Sequence, residues 1–218
     1  MQGSSSLPPF AEMREPATLE MGDIEDQGEC GSCWAQTASS SVSLQHARFF
    51  DQELPVIPSV QQILDCVRTN NSGGCDGGTP MDALDYMNTH PVSTWDDYPP
   101  RADGMAGQCR ADAPVYSRNL RSWGWTPAVP VCEDSNPTCA GQQLQELALI
   151  DLILEGASVP ILYVDARNWQ MYAGGLFDTQ LCSSTLEAGN HVVELVGFNF
   201  DKGAGVPYWI IRLERQKG

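Results

Sequence analysis

The stretch "DQGECGSCWAQTAS", residues 26–39, contains two cysteines three positions apart at the start of a helical pattern. Apolar side chains follow at helical spacing with no Gly or Pro between them: Trp34, Ala38, Val42 and Phe49. This spacing predicts a helix over residues 33–50 with Cys33 at its N-terminus. A Cys-x-x-Cys pair in that position admits three chemistries: a redox pair, half of a metal site, or a structural cysteine beside a nucleophile.

The surrounding residues weigh against two of these chemistries without excluding them. A thioredoxin-like redox motif follows a buried strand in an alternating α/β pattern, whereas the preceding segment "EPATLEMGDIEDQGE" is a poor strand candidate. A zinc site needs two further ligands at compact spacing, but Cys66 and Cys75 are nine positions apart with no adjacent histidine. Two structural half-cystines are a further alternative, and the stretch alone does not decide.

A cysteine nucleophile would need a base, and the chain has three histidines. The N–H groups and dipole at a helix N-terminus favour a thiolate, which suits Cys33. His46 falls deep in the first predicted helix, on a face expected to be partly exposed, and His90 lies in a turn, so structural or solvated roles are expected. His191 differs because it begins a strand pattern after Gly189, where a side chain can face a cleft. We therefore take His191 as the candidate base.

Composition narrows the classes of partner. The chain has 218 residues, and its 42% of hydrophobic residues are enough for a packed core. Its 28 acidic and 12 basic side chains give a formal charge of -16, which repels phosphate backbones and anionic membrane surfaces. We expect no nucleic acid and no membrane as partners. No apolar run is long enough to cross a membrane, and the opening "MQGSSSLPPF" lacks the features of a signal peptide.

The cysteine count bears on the compartment. Eight cysteines are many for a cytosolic domain of this size, where thiols are kept reduced, so they favour an oxidising compartment. If one cysteine is a nucleophile, seven remain, and an odd number cannot all pair within the chain. One further cysteine is then expected to stay outside the intrachain disulfides.

Helix signals are concentrated in the first part of the chain. Ser59 and Gln62 form a capping box at the start of a second predicted helix. Thr79 as N-cap and Pro80 at the first helical position start a short third helix. Residues 142–156 predict a fourth helix, which Gly156 ends.

Strand signals come later. After a loose arm, "MQGSSSLPPF", and the early helices, residues of about 88–140 lose periodicity, which predicts a loop with short strands. The runs "VPILYVDA", "HVVELVGFNF" and "YWIIRL" then predict strands. Helices grouped before strands indicate an α+β fold, with two lobes and a cleft between them.

Seven motifs follow one another along the chain: "QGECGSCWA", "SVQQILDC", "GCDGG", "YPPRADGMAGQC", "WQMYAGGLFD", "NHVVELVGF" and "PYWIIR". In this order they resemble the papain-like cysteine peptidases, the plant papain and animal cathepsin group, over about residues 7–212. The resemblance implies a two-lobed papain-like α+β fold, with a helical left lobe, an antiparallel β-barrel-like right lobe and the active site in the cleft. The expected parts of this single peptidase domain are an N-terminal arm crossing to the β lobe, 1–29, the helical lobe, 30–122, and the β-rich lobe, 123–218.

The resemblance also implies catalytic roles. Cys33 matches the nucleophile, and His191 matches the histidine that pairs with the thiolate and later protonates the leaving amine. Gln27 matches the side chain that, with the Cys33 backbone N–H, donates to the oxyanion of the tetrahedral intermediate. These roles imply hydrolysis of peptide bonds through a thioester, with no metal and no organic cofactor.

Further residues match the family's substrate-binding and disulfide positions. Gly77 and Gly78 match a backbone strip against which an extended peptide lies, where absent side chains allow close approach. Pro80 matches the pocket under the residue before the scissile one, and Asn190 joins this substrate-binding set. The glycines and Pro80 also have plain structural explanations, in a turn and at a helix start. The resemblance implies two disulfides, Cys30–Cys75 and Cys66–Cys109.

The chain departs from the family pattern near its C-terminal end. Leu213 stands where the family has the Asn that orients the histidine, and leucine has no acceptor atom. Losing the orienting group of a serine triad costs about 10⁴ in rate, but a thiol needs less help. The family's partner for Cys182 is also missing, which predicts a C-terminally truncated chain, Cys182 as the orphan, and a local pair of Cys132 and Cys139. Gln36 replaces the family's usual aromatic residue.

Two functional hypotheses from different classes follow. The first is a monomeric papain-like cysteine peptidase that acts on peptides or proteins in a lysosomal, vacuolar or extracellular setting, with activity reduced by Leu213. The second is a catalytically silent homologue that serves as a disulfide-stapled binding module. The presence of Gln27, Cys33 and His191 favours the peptidase, whereas Leu213 favours the silent homologue. A thiol oxidoreductase is the remaining alternative.

Overall fold

Helix α1 (Cys33–Phe50) contacts both the other helices and the sheet, so it joins the two parts of the fold. Its bounds confirm the predicted helix over residues 33–50. The structure is a computed structural model that describes residues 10–12, 27–50, 56–115, 142–155, 161–167, 169, 172–177, 189–199 and 206–212.

Helix α2 (Val60–Cys66) begins after an N-cap that was only half predicted. The Ser59 hydroxyl accepts a hydrogen bond from the Gln62 N–H at 3.0 Å, as a capping box requires. The return bond is absent from the cap, because the side-chain amide oxygen of Gln62 accepts from the Ser93 N–H at 2.6 Å instead. The Gln62 amide nitrogen donates to the Pro91 carbonyl at 3.2 Å, so this side chain fastens a loop to α2 instead.

Helix α3 (Pro80–Thr89) has the predicted start signals. Thr79 is the N-cap, and its hydroxyl accepts from the Asp82 N–H at 3.2 Å. Pro80 occupies the first turn, where its missing N–H has no helical partner to lose. Helix α4 (Gln142–Glu155) agrees with the fourth predicted helix, and its predicted terminator, Gly156, lies outside the described residues.

The strands form one antiparallel sheet with β3 (His191–Asn199) at its centre. Strand β2 (Ile161–Val164) pairs with the first residues of β3, and β4 (Tyr208–Arg212) pairs with β3 from Glu194 onward. Strand β1 (Phe10–Glu12) pairs with the last residues of β3, so the N-terminal arm is not loose at this point. Local sequence does not signal β1, because its pairing partner lies far away along the chain.

The predicted loop after α3 also differs from expectation. Residues 90–115 form no strand, and their contribution to pairing is an isolated bridge between Thr94 and Pro58. Tyr98 is fully buried there, and its hydroxyl donates to the Asp65 carboxylate of α2 at 2.7 Å. Aromatic and polar anchors therefore hold this segment, and the strand prediction was wrong for its described part.

Buried apolar side chains form separate helical and sheet clusters. The helical cluster is built from α1, α2 and α3 and includes Trp34, Ala38, Val42, Ile63 and Met87. The sheet cluster lies between α4 and β3 and includes Ile150, Ile153, Leu195 and Phe198. Two cores beside a shared helix confirm the α+β prediction, whereas the predicted divisions at residues 29/30 and 122/123 stay predictions. None of the described helices is long and apolar enough to span a bilayer.

The predicted exposure of His46 was wrong. His46 was expected on a partly exposed face of α1, but only 4% of its surface is accessible. The helix is buried on more than one side because the sheet covers the side that the helices leave open. His90 is exposed, as expected of a turn residue, and stacks on Tyr86 with ring centroids 4.6 Å apart.

Candidate active site

Cys33 is the first residue of α1, and a tight turn at residues 27–30 precedes it. Gly28 has a φ of 58°, a conformation that favours glycine, and the Cys30 N–H donates to the Gln27 carbonyl at 3.3 Å. The Ser32 carbonyl then accepts from the N–H groups of the first helical turn. The partly exposed Cys33 side chain therefore sits at the positive end of the helix dipole.

Two disulfides fix the surroundings of Cys33. Cys30 bonds to Cys75, and Cys66 bonds to Cys109, as the resemblance implied. Cys33 lies outside both bridges, so Cys30 and Cys33 do not form a redox pair with each other. The predictions for Cys132, Cys139 and Cys182 lie outside the described residues.

The Cys30–Cys75 bridge brings the glycine strip against α1. The Gly31 N–H donates to the Cys75 carbonyl at 2.9 Å, which aligns the two backbones. A Cβ on Gly78 would lie 2.5 and 2.6 Å from ring atoms of Trp34, so only glycine fits there. Gly77 has open space around it, but its φ of 106° also favours glycine.

These contacts bear on the structural explanation of the glycines and of Pro80. Gly78 is needed for packing on Trp34, and Gly77 for its backbone conformation, whatever else they do. Pro80 is buried at the start of α3. The substrate-binding roles implied for all three residues stay predictions.

Hydroxyl groups on α1 set its register against β3. Ser40 and Ser41 donate to the Glu194 carboxylate at 2.9 and 2.8 Å, and the Thr37 hydroxyl reaches the Val192 carbonyl at 3.4 Å. Moving back along α1 by one turn, from Ser41 to Thr37, therefore matches moving back along β3 by two residues, from Glu194 to Val192. One more helical turn in the same direction reaches Cys33, and this places the first turn of α1 level with the first residues of β3.

His191 is the residue that begins β3, and it lies at this same end of the contact. Only 7% of its surface is accessible, and the Trp169 ring stands edge-on to it with centroids 6.5 Å apart. Burial lowers the pKa of His191 below its usual value, because the charged imidazolium loses hydration. Within the described residues its ring makes no hydrogen bond.

Gln27 and Asn190 flank the candidate pair. Gln27 is 6% exposed, and its amide oxygen is buried without a hydrogen-bond partner within the described part of the chain. Asn190 is exposed, and its side-chain oxygen accepts from the Ala166 N–H at 2.9 Å. Its backbone N–H donates to the Val164 carbonyl at 3.0 Å, so Asn190 fastens the start of β3 to the end of β2.

Tyr163 reaches the same region, and the sequence analysis missed it. It pairs with Val192 across the sheet, so it shares the face that meets α1. Burial first, and then the charges of Cys33 and Asp82, raise the pKa of Tyr163 to about 12. Tyr163 on β2 therefore lies within electrostatic range of Cys33 on α1 and of Asp82 on α3.

The signals for the missed residues were weak. Tyr163 and Trp169 occur in apolar segments where aromatic residues are expected to fill a core. Their placement depends on the pairing of β2 with β3, which local sequence does not reveal. Within the described residues no group of three or more His, Cys, Asp or Glu side chains could hold a metal ion.

Comparison with known proteins decides the family. The model described as "Papain family cysteine protease" matches residues 7–214. The chain belongs to the papain family of cysteine proteases. Among its relatives, "Pro-cathepsin H" from Medicago truncatula is 30% identical over 193 residues, which cover 88% of this chain and 49% of that protein. "Pro-cathepsin H" from Bos taurus is 27% identical, with 97% of this chain and 57% of that protein covered.

Solved structures agree with this membership. The Carica candamarcensis cysteine protease CMS1MS2, solved in complex with E-64, has a TM-score of 0.69 at 26% identity, covering 95% of this chain and 82% of that one. Digestive procathepsin L 3 of Tenebrio molitor larval midgut has a TM-score of 0.71 at 25% identity, covering 98% and 62%. The papain-like fold prediction is confirmed. This papain-family chain spans about half the length of the curated relatives it matches.

Proposed function

We propose that this papain-family chain is the catalytic part of a cysteine peptidase that hydrolyses peptide bonds through a thioester at Cys33. One observation carries the proposal: the α1–β3 register, set by Thr37 and the Glu194 contacts, brings Cys33 level with the start of β3, where His191 lies. A helix N-terminus favours the anionic nucleophile, and a buried imidazole at the same level of the neighbouring strand is a suitable proton carrier.

The first half of the proposed reaction acylates the enzyme. His191 takes the thiol proton, and the Cys33 sulfur attacks the carbonyl carbon of the scissile peptide bond. The carbonyl oxygen becomes an oxyanion that accepts hydrogen bonds from the Gln27 amide N–H and the Cys33 backbone N–H. As the C–N bond breaks, His191 gives its proton to the leaving amine, and the acyl group stays on the sulfur.

The second half releases the acid. A water molecule loses a proton to His191 and attacks the thioester carbon. The same two donors hold the second oxyanion, after which the C–S bond breaks and the Cys33 sulfur leaves. The carboxylic acid departs, and His191 is ready to share its proton with the sulfur again.

We propose that the acyl part of the substrate lies along the strip of Gly77 and Gly78, with Pro80 and Asn190 at its sides. Glycine leaves the backbone N–H and C=O of such a strip open to an extended peptide. Two disulfides suit an oxidising compartment, which supports the lysosomal, vacuolar or extracellular setting as part of the proposal.

The silent homologue remains a second candidate because one observation favours it. The His191 ring makes no hydrogen bond within the described residues, and Leu213, outside them, cannot accept one. A histidine without an orienting acceptor samples more ring positions, which lowers the fraction that is productive. The binding module would keep the fold and the disulfides but would not form a thioester.

Hydrolysis of a fluorogenic dipeptide at mildly acidic pH under reducing conditions separates the two candidates. We expect the chain to release the fluorophore and to show a mass increase equal to the acyl group on Cys33. The Cys33→Ala variant should do neither, and Cys33→Ser is the matched control for side-chain volume. A folded chain that neither hydrolyses the dipeptide nor gains mass would establish the silent homologue.

A further inference from the structure

A pocket of about 340 Å³ adjoins the proposed site on the side of the helical lobe. It lies between the residues that lead into α1, the start of α2 and the loop that contains Trp95. Val60, Leu64 and Trp95 supply an apolar wall, against which the methylene groups of a long side chain can pack. Gln27, the proposed oxyanion donor, lines the same pocket, so the two sites share a residue.

Two side chains that line this pocket carry amide oxygens without a hydrogen-bond donor among the described residues. Gln36 donates its amide to the Ser32 hydroxyl at 2.8 Å, which fixes its orientation. Its amide oxygen, like that of Gln27, is buried without a partner within the described residues. A buried acceptor that lacks a donor costs free energy, so a ligand that brings donors is favoured here.

Both charged side chains that line the pocket, Glu29 and Asp103, are acidic. Glu29 lines the pocket, is exposed, and has no ion-pair partner within the described residues. Asp103 also lines it, but its carboxylate is already held by Arg101 at 2.7 Å and by the Met105 N–H at 3.1 Å. Glu29 is therefore the carboxylate that remains available to a cation, in a chain whose formal charge is -16.

The position of the pocket indicates which part of a substrate it meets. It shares Gln27 and Ser32 with the approach to Cys33, but it does not include Gly77, Gly78 or Pro80. In the proposed mechanism the glycine strip holds the acyl part of the peptide. A pocket that joins the oxyanion donor from elsewhere is then available to the part that leaves with the amine.

We infer that this pocket binds the side chain of a lysine or arginine in the leaving part of the peptide substrate. The inference rests on the proposed function. The methylene stem lies against Val60, Leu64 and Trp95, and the cationic head meets Glu29 and the Gln36 amide oxygen. Charge-assisted hydrogen bonds are stronger than neutral ones, so the contact with Glu29 favours peptides that carry a basic side chain in their leaving part.

Internally quenched peptides test this specificity. They carry Lys, its uncharged isostere norleucine, or Glu at the first, second or third position after the scissile bond. We expect Lys to raise kcat/KM over norleucine by about fivefold at one position. Glu29→Gln should abolish this ratio, Gln36→Phe should reduce it by filling the pocket, and Glu155→Gln on distant α4 is the matched control. Equal rates for Lys and norleucine, or a ratio that survives Glu29→Gln, would overturn the inference.

A binding measurement keeps the inference separate from the proposed function. The Cys33→Ala protein is titrated with short peptide amides that begin with the residue after the scissile bond and carry Lys or norleucine. The inference expects tighter binding of the Lys peptide, weakened about fivefold by Glu29→Gln and by added salt. Equal binding of both peptides contradicts it. The dipeptide assay has no leaving peptide, so its failure counts against the proposed function alone.

Discussion

The two buried sides of helix α1 differ in chemistry. On the side that faces α2 and α3, Trp34, Ala38 and Val42 are at most 1% exposed and pack into an apolar cluster. On the side that faces β3, hydroxyl groups of Thr37, Ser40 and Ser41 make the contacts. The burial of apolar surface stabilises the side that faces the helices, and directional hydrogen bonds stabilise the side that faces β3.

This difference explains how the proposed catalytic residues come together. Apolar packing is non-directional and tolerates small sliding of one element over another, whereas each hydroxyl bond has a preferred length and angle. Glu194 is 1% exposed and accepts from two hydroxyls at once, so it fixes β3 along α1. The apolar side stabilises the helix in its lobe, and the polar side sets the level of Cys33 relative to His191.

The largest expected effect comes from the apolar side. Trp34→Ala removes a fully buried ring that also covers Gly78 and donates to the Gly74 carbonyl at 3.2 Å. We expect the free energy of unfolding to fall by about 3–5 kcal/mol, measured by urea denaturation. Leu147→Ala, on a side chain that is 43% exposed, is the control and should cost about 0.5 kcal/mol or less. A loss near that of the control would mean that this cluster does not hold the helices together.

A smaller but more specific effect is expected on the polar side. Glu194→Leu removes the acceptor of the half-buried Ser40 hydroxyl and of the buried Ser41 hydroxyl, so we expect a loss of about 2 kcal/mol in the same measurement. Glu155→Leu, on an exposed part of α4, is the matched control and should change stability by about 0.5 kcal/mol or less.

Replacing both partners sharpens this comparison. With Ser40→Ala and Ser41→Ala added to Glu194→Leu, neither of these hydroxyls is left without its acceptor, and most of the lost stability should return, to within about 1 kcal/mol of the parent protein. Dipeptide hydrolysis should stay reduced, because the directional bonds that set the register are gone. Full activity in this triple variant would show that the Glu194 contacts do not position the site.

The smallest effect concerns the pH dependence of stability. In Cys33→Ala no thiolate opposes the effect of burial, so NMR titration should give His191 a pKa below the usual value of about 6.5. The unfolded chain then binds a proton more readily than the folded one. The contribution of His191 to stability is fully present above about pH 6.5 and is lost as pH falls through the folded pKa, by about 1.4 kcal/mol per tenfold difference in proton affinity. A His191 pKa above 6.5 in this variant would contradict the burial argument.

The apolar side of α1 was predictable, and the polar side was not. Trp34, Ala38 and Val42 recur at helical spacing, and that pattern gave the helix its correct bounds. The run of three serines at 39–41 carries no such signal, because polar side chains on a helix usually face water. The hydroxyls of Ser40 and Ser41 donate to Glu194, 154 and 153 positions away, and the Ser39 hydroxyl donates to the Pro58 carbonyl. The placement of these serines therefore depends on contacts outside their own helix, and the burial of His46 likewise depends on the sheet.

The candidate site divides in a similar way. Gln27, Cys33 and His191 could be named from motifs, because the chemistry of each depends on residue type and on its immediate neighbours. Tyr163 and Trp169 could not, because strand pairing and ring packing bring them near Cys33 and His191. The pocket beside Gln27 combines α1, α2 and a distant loop, so it too is a property of the fold rather than of any one segment.

The rate of alkylation of Cys33 by iodoacetamide at mildly acidic pH tests the central claim, that α1 and β3 place Cys33 and His191 as one reactive unit. Mass spectrometry of the Cys33 peptide gives the rate without any assumption about substrate. We expect the parent protein to react about tenfold faster than His191→Ala, and His90→Ala, on an exposed histidine, to match the parent. Equal rates in the parent and in folded His191→Ala would contradict the claim, because the reactivity of the Cys33 thiol would then not depend on His191.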